Sequence, residues 1–271
     1  MESANQELIF EQEGGVGILT LNRPDKRNAL TTPLCENLRD LLEQVKRRDE
    51  IKALIITGNG QAFCSGSDIE TRLLPRIVND QFVPLEKTRY DLLETVMLYV
   101  APAIYNLGKP TIAAINGFAT GAGLSLALLC DFRIASDKAK FVASWLFVGL
   151  TPDVGATFTM PRVVGTDRAL KLFLTGEFVD AKEAERINLV TEVVPHDNLM
   201  ETAKQLASKI AAGPSVAIEL TRRAVHRGLV NDLTSQLYFE SYAQNICFMS
   251  EDFREGVRAF QEKRKPEFKG K

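Results

Sequence analysis

The chain has 271 residues, 45% of them hydrophobic and 25% charged, with a formal net charge of -2. Length and composition describe a globular protein able to bury one substantial core, and exclude a disordered or low-complexity chain. The small net charge argues against nucleic acid as a partner, and no apolar run approaches the roughly 18 to 20 residues that would span a bilayer.

Glu2, Glu7, Glu11 and Glu13 crowd the first residues with no basic segment among them. No secretory or transit peptide is therefore expected, and a cytoplasmic location is. Val16–Leu21 reads as a short strand closed by Asn22-Arg23-Pro24-Asp25. Thr32 is placed to cap a helix with Pro33 at its first position, and Leu34, Leu38, Leu41, Leu42 and Val45 then fall on one face. Residues 51–57 are a near-continuous aliphatic run, the pattern of a strand covered on both faces. It is followed by the turn Ala62-Phe63-Cys64-Ser65-Gly66-Ser67-Asp68-Ile69.

Residues 70–108, with Pro75, Pro84 and Pro102, interrupt the rhythm. Such an insertion suits a lid or a substrate wall, and equally a solvent-facing helical excursion. The strand pattern returns at Thr111–Ile115, followed by a second turn, Asn116-Gly117-Phe118-Ala119-Thr120-Gly121-Ala122-Gly123, and a buried helix over 124–129. Further strands are expected over 131–135 and 140–143. This alternation implies parallel strands with helical crossovers, an α/β fold.

From residue 198 the strands stop. Leu199, Ala203, Leu206 and Ile210 mark one helix ended by Gly213-Pro214, 218–225 suggests another, Leu233–Met249 a longer one, and Phe253, Val257 and Phe260 stripe a last. The chain thus divides into a core over 1–197 and a helical region over 198–271. The latter cannot bury all its apolar faces alone, so packing on a neighbouring subunit is expected.

The two glycine-bearing turns carry the chemistry. Small residues let the backbone turn sharply and expose its N–H groups, and a following helix adds a favourable dipole. Two such amides aimed at one point make an oxyanion hole, suited to an acyl group whose carbonyl takes on negative charge. Cys35, Cys64, Cys130 and Cys247 are widely spaced, with no CxxC and no histidine at ligand spacing, so free thiols and no metal are expected. His196 and His226 both lie in the last third, which disfavours a Ser-His-Asp or Cys-His triad around the turns.

Asn22-Arg23-Pro24 through Arg27-Asn28-Ala29-Leu30, the two turns, Leu174-Thr175-Gly176 with Ala181, Glu183 and Ala184, and the close at Phe260 and Lys263 resemble the enoyl-CoA hydratase/isomerase (crotonase) superfamily. The motifs run in the family's order over nearly the whole chain. The resemblance implies a spiral of β-β-α turns with a C-terminal helical region used for trimerisation, as a homotrimer or dimer of trimers. It implies acyl-CoA thioesters as substrates, with no cofactor beyond the coenzyme A they carry. By position, the backbone N–H groups of Ser67 and Ala122 would form the oxyanion hole, framed by Ser65, Gly66 and Gly121. Arg27 would lie near the nucleotide phosphates and Ala62, Asp68 and Ile69 around the adenine, with Ala29 a further substrate-binding position. Phe260 and Lys263 would reach the nucleotide of a neighbouring subunit. Asp68 reads equally well as a helix N-cap.

The two glutamates that hydratases of this family use for water activation and proton delivery fall at Ser125 and Trp145, neither of which is an acid. The remaining carboxylate is Asp153, in Thr151-Pro152-Asp153-Val154-Gly155, at the position of the single acid of many enoyl-CoA isomerases. Residues 141–165 resemble in particular the isomerases that rearrange ring epoxides of phenylacetyl-CoA. Trp145 with Asp153 also matches the 4-chlorobenzoyl-CoA dehalogenases, but their lid histidine has no counterpart here. The expected activity is a Δ3-Δ2 enoyl-CoA isomerase, with Ser125 and Trp145 as substrate-binding positions, Trp145 reading equally well as a core aromatic. A 2-enoyl-CoA hydratase and a non-catalytic acyl-CoA binder are the alternatives.

Overall fold

The structure, a computed structural model, describes residues 7–74, 77–78, 81–82 and 99–271. Most of the 70–108 insertion, and with it the lid reading, lies outside the described residues.

Twelve strands are described: β1 (Leu8–Glu13), β2 (Val16–Leu21), β3 (Ala53–Gly58), β4 (Ala62–Cys64), β5 (Ile77–Val78), β6 (Gln81–Phe82), β7 (Thr111–Ile115), β8 (Phe118–Thr120), β9 (Phe132–Ser136), β10 (Lys140–Val142), β11 (Phe178–Asp180) and β12 (Glu192–Val194). A six-stranded sheet runs β1-β2-β3-β7-β9-β12 and a four-stranded sheet runs β11-β10-β8-β4, with β5 and β6 a separate ribbon. Pairing is parallel except at β1–β2 and β10–β11 in the two sheets and within the ribbon. The chain places β3 in the large sheet and β4 in the small one, then β7 and β8, then β9 and β10, returning each time through a helical segment. That is the expected β-β-α spiral.

Parallel strands buried on both faces need apolar residues at every position. β3 (ALIITG) and β7 (TIAAI) are buried throughout, Thr57 being accommodated by its hydroxyl donating to the Ala114 carbonyl at 2.8 Å. One core cluster fills the space between the sheets and the helix Thr32–Arg47, and includes Phe63, Leu124, Phe141 and Trp145. A second, on the outer face of the large sheet, joins Ile18, Ile55, Ile112 and Ile134 to Leu199, Ala203 and Ala207. Helix Leu199–Ala211 thus packs as a layer of the sheet, and the three helices Ser215–Gly228, Leu233–Met249 and Glu251–Glu262 follow it.

Helix Ser215–Gly228 is tied back to the sheet at Asp131. That carboxylate accepts from the Thr111 amide (2.8 Å) and hydroxyl (3.0 Å) and from Arg222 Nε (2.7 Å), and pairs with His226 Nε2 at 3.3 Å. Burial pushes its pKa up, but the His226, Arg222 and Thr111 hydrogen bonds outweigh burial and hold it below the ordinary value.

The cap of helix Thr32–Arg47 is Thr31, whose hydroxyl accepts from the Leu34 amide at 3.3 Å, rather than Thr32. The four short strands β4, β8, β11 and β12, and the helices Ala156–Val164, Thr166–Thr175 and Ala181–Arg186, lay outside the sequence-based assignment.

Candidate active site

The two turns meet at Gly66. The Ser65 amide donates to the Arg27 carbonyl (3.0 Å), the Leu30 amide to the Gly66 carbonyl (2.7 Å), and the Asp68 amide to the Leu30 carbonyl (3.0 Å). Residues 27–30 and 65–68 therefore run side by side as a short parallel bridge centred on Leu30 and Ser67. From the other side the Thr120 hydroxyl donates to the Ser65 carbonyl at 2.9 Å. Gly66 has φ +90, and a Cβ there would lie 2.9 Å from the Thr120 carbonyl and 3.3 Å from the Ala122 nitrogen. Only glycine tolerates both the backbone angle and the close approach. The equivalent approach inside the second turn is at Gly123, where a Cβ would fall 2.1 Å from the Cys64 carbonyl.

The Ser67 amide comes one residue after Gly66, the residue whose Cβ position lies 3.3 Å from the Ala122 nitrogen. Ala122 is the first residue of helix Ala122–Leu129, where amides have no intrahelical acceptor. Neither amide donates to another backbone group among the described residues. Free amides at a helix start, with the helix dipole behind them, suit an oxygen that carries negative charge.

Asp153 lies on the loop that precedes helix Ala156–Val164. Its Oδ1 accepts from the Trp145 indole Nε1 at 2.8 Å. Trp145 is buried, in the 3-10 turn Ser144–Val148, and its ring meets Phe173 edge-on at 5.9 Å. Burial raises the Asp153 pKa above the ordinary carboxylate value; the Trp145 hydrogen bond, and next the charge of Arg72, oppose that rise. Arg72 is itself buried, and its Nη1 donates to the Leu30 carbonyl at 3.1 Å. Sequence reasoning did not single it out; its place one turn after Asp68, which its amide reaches at 3.0 Å, was the available signal.

Several expected ligand contacts have other work. Asp68 caps the turn Ile69–Leu73 by accepting from the Thr71 amide at 3.1 Å and pairs with Arg23 at 3.0 Å, its side chain only 4% exposed. The N-cap reading of Asp68 is the one the geometry supports. The Ala62 carbonyl accepts from Asn28 Nδ2 and Asn116 Nδ2, at 2.7 and 3.1 Å. Ser125 is fully buried, and its hydroxyl donates to the Asp153 main-chain carbonyl at 3.0 Å.

Arg27 and Ile69 are exposed at the edge of the bridge, with the Arg27 guanidinium 5.8 Å from the Phe118 ring centre; Ala29, buried, accepts from Arg23 through its carbonyl. Ser65 and Gly121 line the meeting point itself. Phe260, exposed, and Lys263, in the left-handed conformation that ends helix Glu251–Glu262, make no hydrogen bond or ring contact with this cluster among the described residues.

The four cysteines are free, and burial pushes Cys35, Cys64 and Cys130 up to about 12, so these thiols are protonated at neutral pH. His196 Nδ1 lies 2.9 Å from the Ser136 hydroxyl on β9, and His226 stacks on Tyr105 at 4.5 Å. Among the described residues no group of side chains is arranged to hold a metal ion, and no helix is long and apolar enough to cross a membrane.

The sequence profile of the enoyl-CoA hydratase/isomerase family matches residues 11–271. The 1,2-epoxyphenylacetyl-CoA isomerase of Escherichia coli K12 is 39% identical over 267 residues, 97% of this chain and 98% of that protein. The short-chain-enoyl-CoA hydratase of Clostridium acetobutylicum is 38% identical over 262 residues, 96% of each chain. Among solved structures, an enoyl-CoA hydratase from Bacillus anthracis superposes with a TM-score of 0.91 at 34% identity, covering 98% of this chain and all of that one.

Proposed function

Because the chain belongs to the enoyl-CoA hydratase/isomerase family, we propose that it is an acyl-CoA double-bond isomerase of the Δ3-Δ2 type with Asp153 as its proton carrier. The observation that supports this most is the state of Asp153: a half-buried carboxyl, raised in pKa and bonded to Trp145, while the other candidate acid positions hold Ser125 and Trp145.

The thioester oxygen of a 3-enoyl-CoA accepts from the Ser67 and Ala122 amides. The Asp153 carboxylate takes a proton from C2, and the electron pair of that C–H bond moves toward the carbonyl, giving a dienolate with its charge on the thioester oxygen. The protonated Asp153 then delivers the same proton to C4, leaving a double bond between C2 and C3. The step is redox-neutral and consumes no water. Each amide aimed at the developing oxyanion contributes about 3 to 4 kcal/mol to transition-state stability in comparable sites. A carboxyl whose pKa is raised toward the working pH both accepts and returns a proton readily.

The coenzyme A moiety lies along Arg27, Ala29, Ala62, Ser65, Gly66 and Ile69, with Phe260 and Lys263 supplied by a neighbouring subunit of a trimer or dimer of trimers. A ring-derived acyl group is supported by the name of the 39% identical relative. The name of the clostridial relative supports a second reading, hydration of a 2-enoyl-CoA. The two separate in one experiment: the purified protein is given a 3-enoyl-CoA and, separately, a 2-enoyl-CoA. Double-bond migration at least about a hundredfold faster than water addition is expected, the gap of a paired acid–base being missing for hydration. Hydration as fast as migration would replace the isomerase reading with the hydratase one.

A further inference from the structure

Asp153 is fixed through its main chain as well as its side chain. Its carbonyl accepts two hydrogen bonds, from the Ala156 amide at 3.0 Å and from the Ser125 hydroxyl at 3.0 Å. Ser125 is wholly buried on helix Ala122–Leu129, one turn after the amide of Ala122. A helical serine ordinarily returns its proton to the carbonyl four residues earlier. Here that carbonyl, of Gly121, is at 3.5 Å, and the nearer acceptor is across the site.

The peptide that follows Asp153 needs such a restraint. Val154 has φ +52 and Gly155 φ +79, two left-handed residues in succession. A β-branched side chain avoids that region, so a valine stays there only where its surroundings hold it. The Ser125 hydroxyl and the Ala156 amide hold the Asp153–Val154 peptide plane, while Trp145 holds the carboxyl.

We propose that Ser125 is a positioning residue: its hydroxyl is a strut that sets the separation between the Asp153 carboxylate and the Ala122 amide. One helix then carries both the oxyanion donor and the anchor of the proton carrier, so the two reacting ends of the substrate meet groups of fixed spacing. This inference rests on the proposed roles of Asp153 and Ala122. It assigns Ser125 no contact with substrate.

The test is the series Ser125, Ser125→Cys and Ser125→Ala, assayed on a 3-enoyl-CoA beside Asp153→Asn, with folding of each checked by circular dichroism. A thiol is a weaker donor than a hydroxyl and a methyl donates nothing. The expected order of kcat is Ser above Cys above Ala, with a fall of roughly ten- to a hundredfold at Ala, the scale of a misplacement of about 1 Å. KM is expected within about twofold of wild type throughout. If either variant does not fold, the other gives the comparison. A kcat within twofold of wild type in the folded variants, or a change confined to KM, overturns the strut while leaving the isomerase reading intact. Full activity in Asp153→Asn overturns both.

Discussion

Asp153 is subject to opposed influences of known sign. Burial disfavours its carboxylate form, and the Trp145 N–H and the Arg72 charge favour it. The acid limb of kcat/KM reports this group in the free enzyme, so it is expected above the ordinary carboxylate range. Trp145→Phe removes a hydrogen bond to the charged form, and the limb should move to higher pH. A limb that stays in place or moves down in a pH–rate profile would show that Trp145 does not act on Asp153. The sequence singled out Asp153 because it was the one acid left among the candidate positions. Arg72 and the left-handed Val154 were not legible, since their importance comes from burial and backbone angle, neither of which leaves a spacing pattern.

At the scale of elements, patterning located what is long or continuously apolar. β3, β7 and the helix Leu233–Met249 were readable from their runs and spacing. The three-residue strands β4, β8, β11 and β12 are shorter than any repeat that distinguishes strand from loop, and β4 and β8 sit inside the glycine turns themselves. β1 was missed because it is an edge strand with exposed Glu11, Gln12 and Glu13. Helix Ser215–Gly228 showed its apolar positions, but not that its Arg222 and His226 converge on Asp131, 91 residues earlier in the case of Arg222. Asp131→Asn leaves the Arg222 guanidinium, 7% exposed, without its counter-charge. Removing one partner of such a pair costs about 3 to 5 kcal/mol. The carboxyl's pKa is lowered on folding, so its contribution is present above the ordinary value and is lost as pH falls through the folded one. Thermal melts should place the variant well below wild type at pH 7, and the gap should narrow on acidification. Equal midpoints at pH 7 would show that the tie carries no stability.

For the whole molecule, the last three helices carry several highly exposed apolar side chains: Leu233 is 75% exposed, Tyr238 75%, Met249 70% and Phe260 86%. Where such side chains join into one patch, a partner usually covers it. The proposed coenzyme A contacts of Phe260 and Lys263 are assigned to a neighbouring subunit. Light scattering behind size exclusion is expected to give a trimer or a multiple of three at micromolar concentration; a monomer throughout would remove those two residues from the site. The central claim is that one carboxylate moves the proton. Its most direct test is the initial rate of 3-enoyl-CoA isomerisation by Asp153→Asn against wild type, on protein whose folding is verified by its melting midpoint. Because Asp153 is raised in pKa on folding, ionising it weakens the native state as pH rises toward its folded value, so the asparagine variant should melt no lower than wild type at pH 7. The rate should fall by at least about two to four orders of magnitude. A folded Asp153→Asn enzyme that isomerises at the wild-type rate would contradict the mechanism.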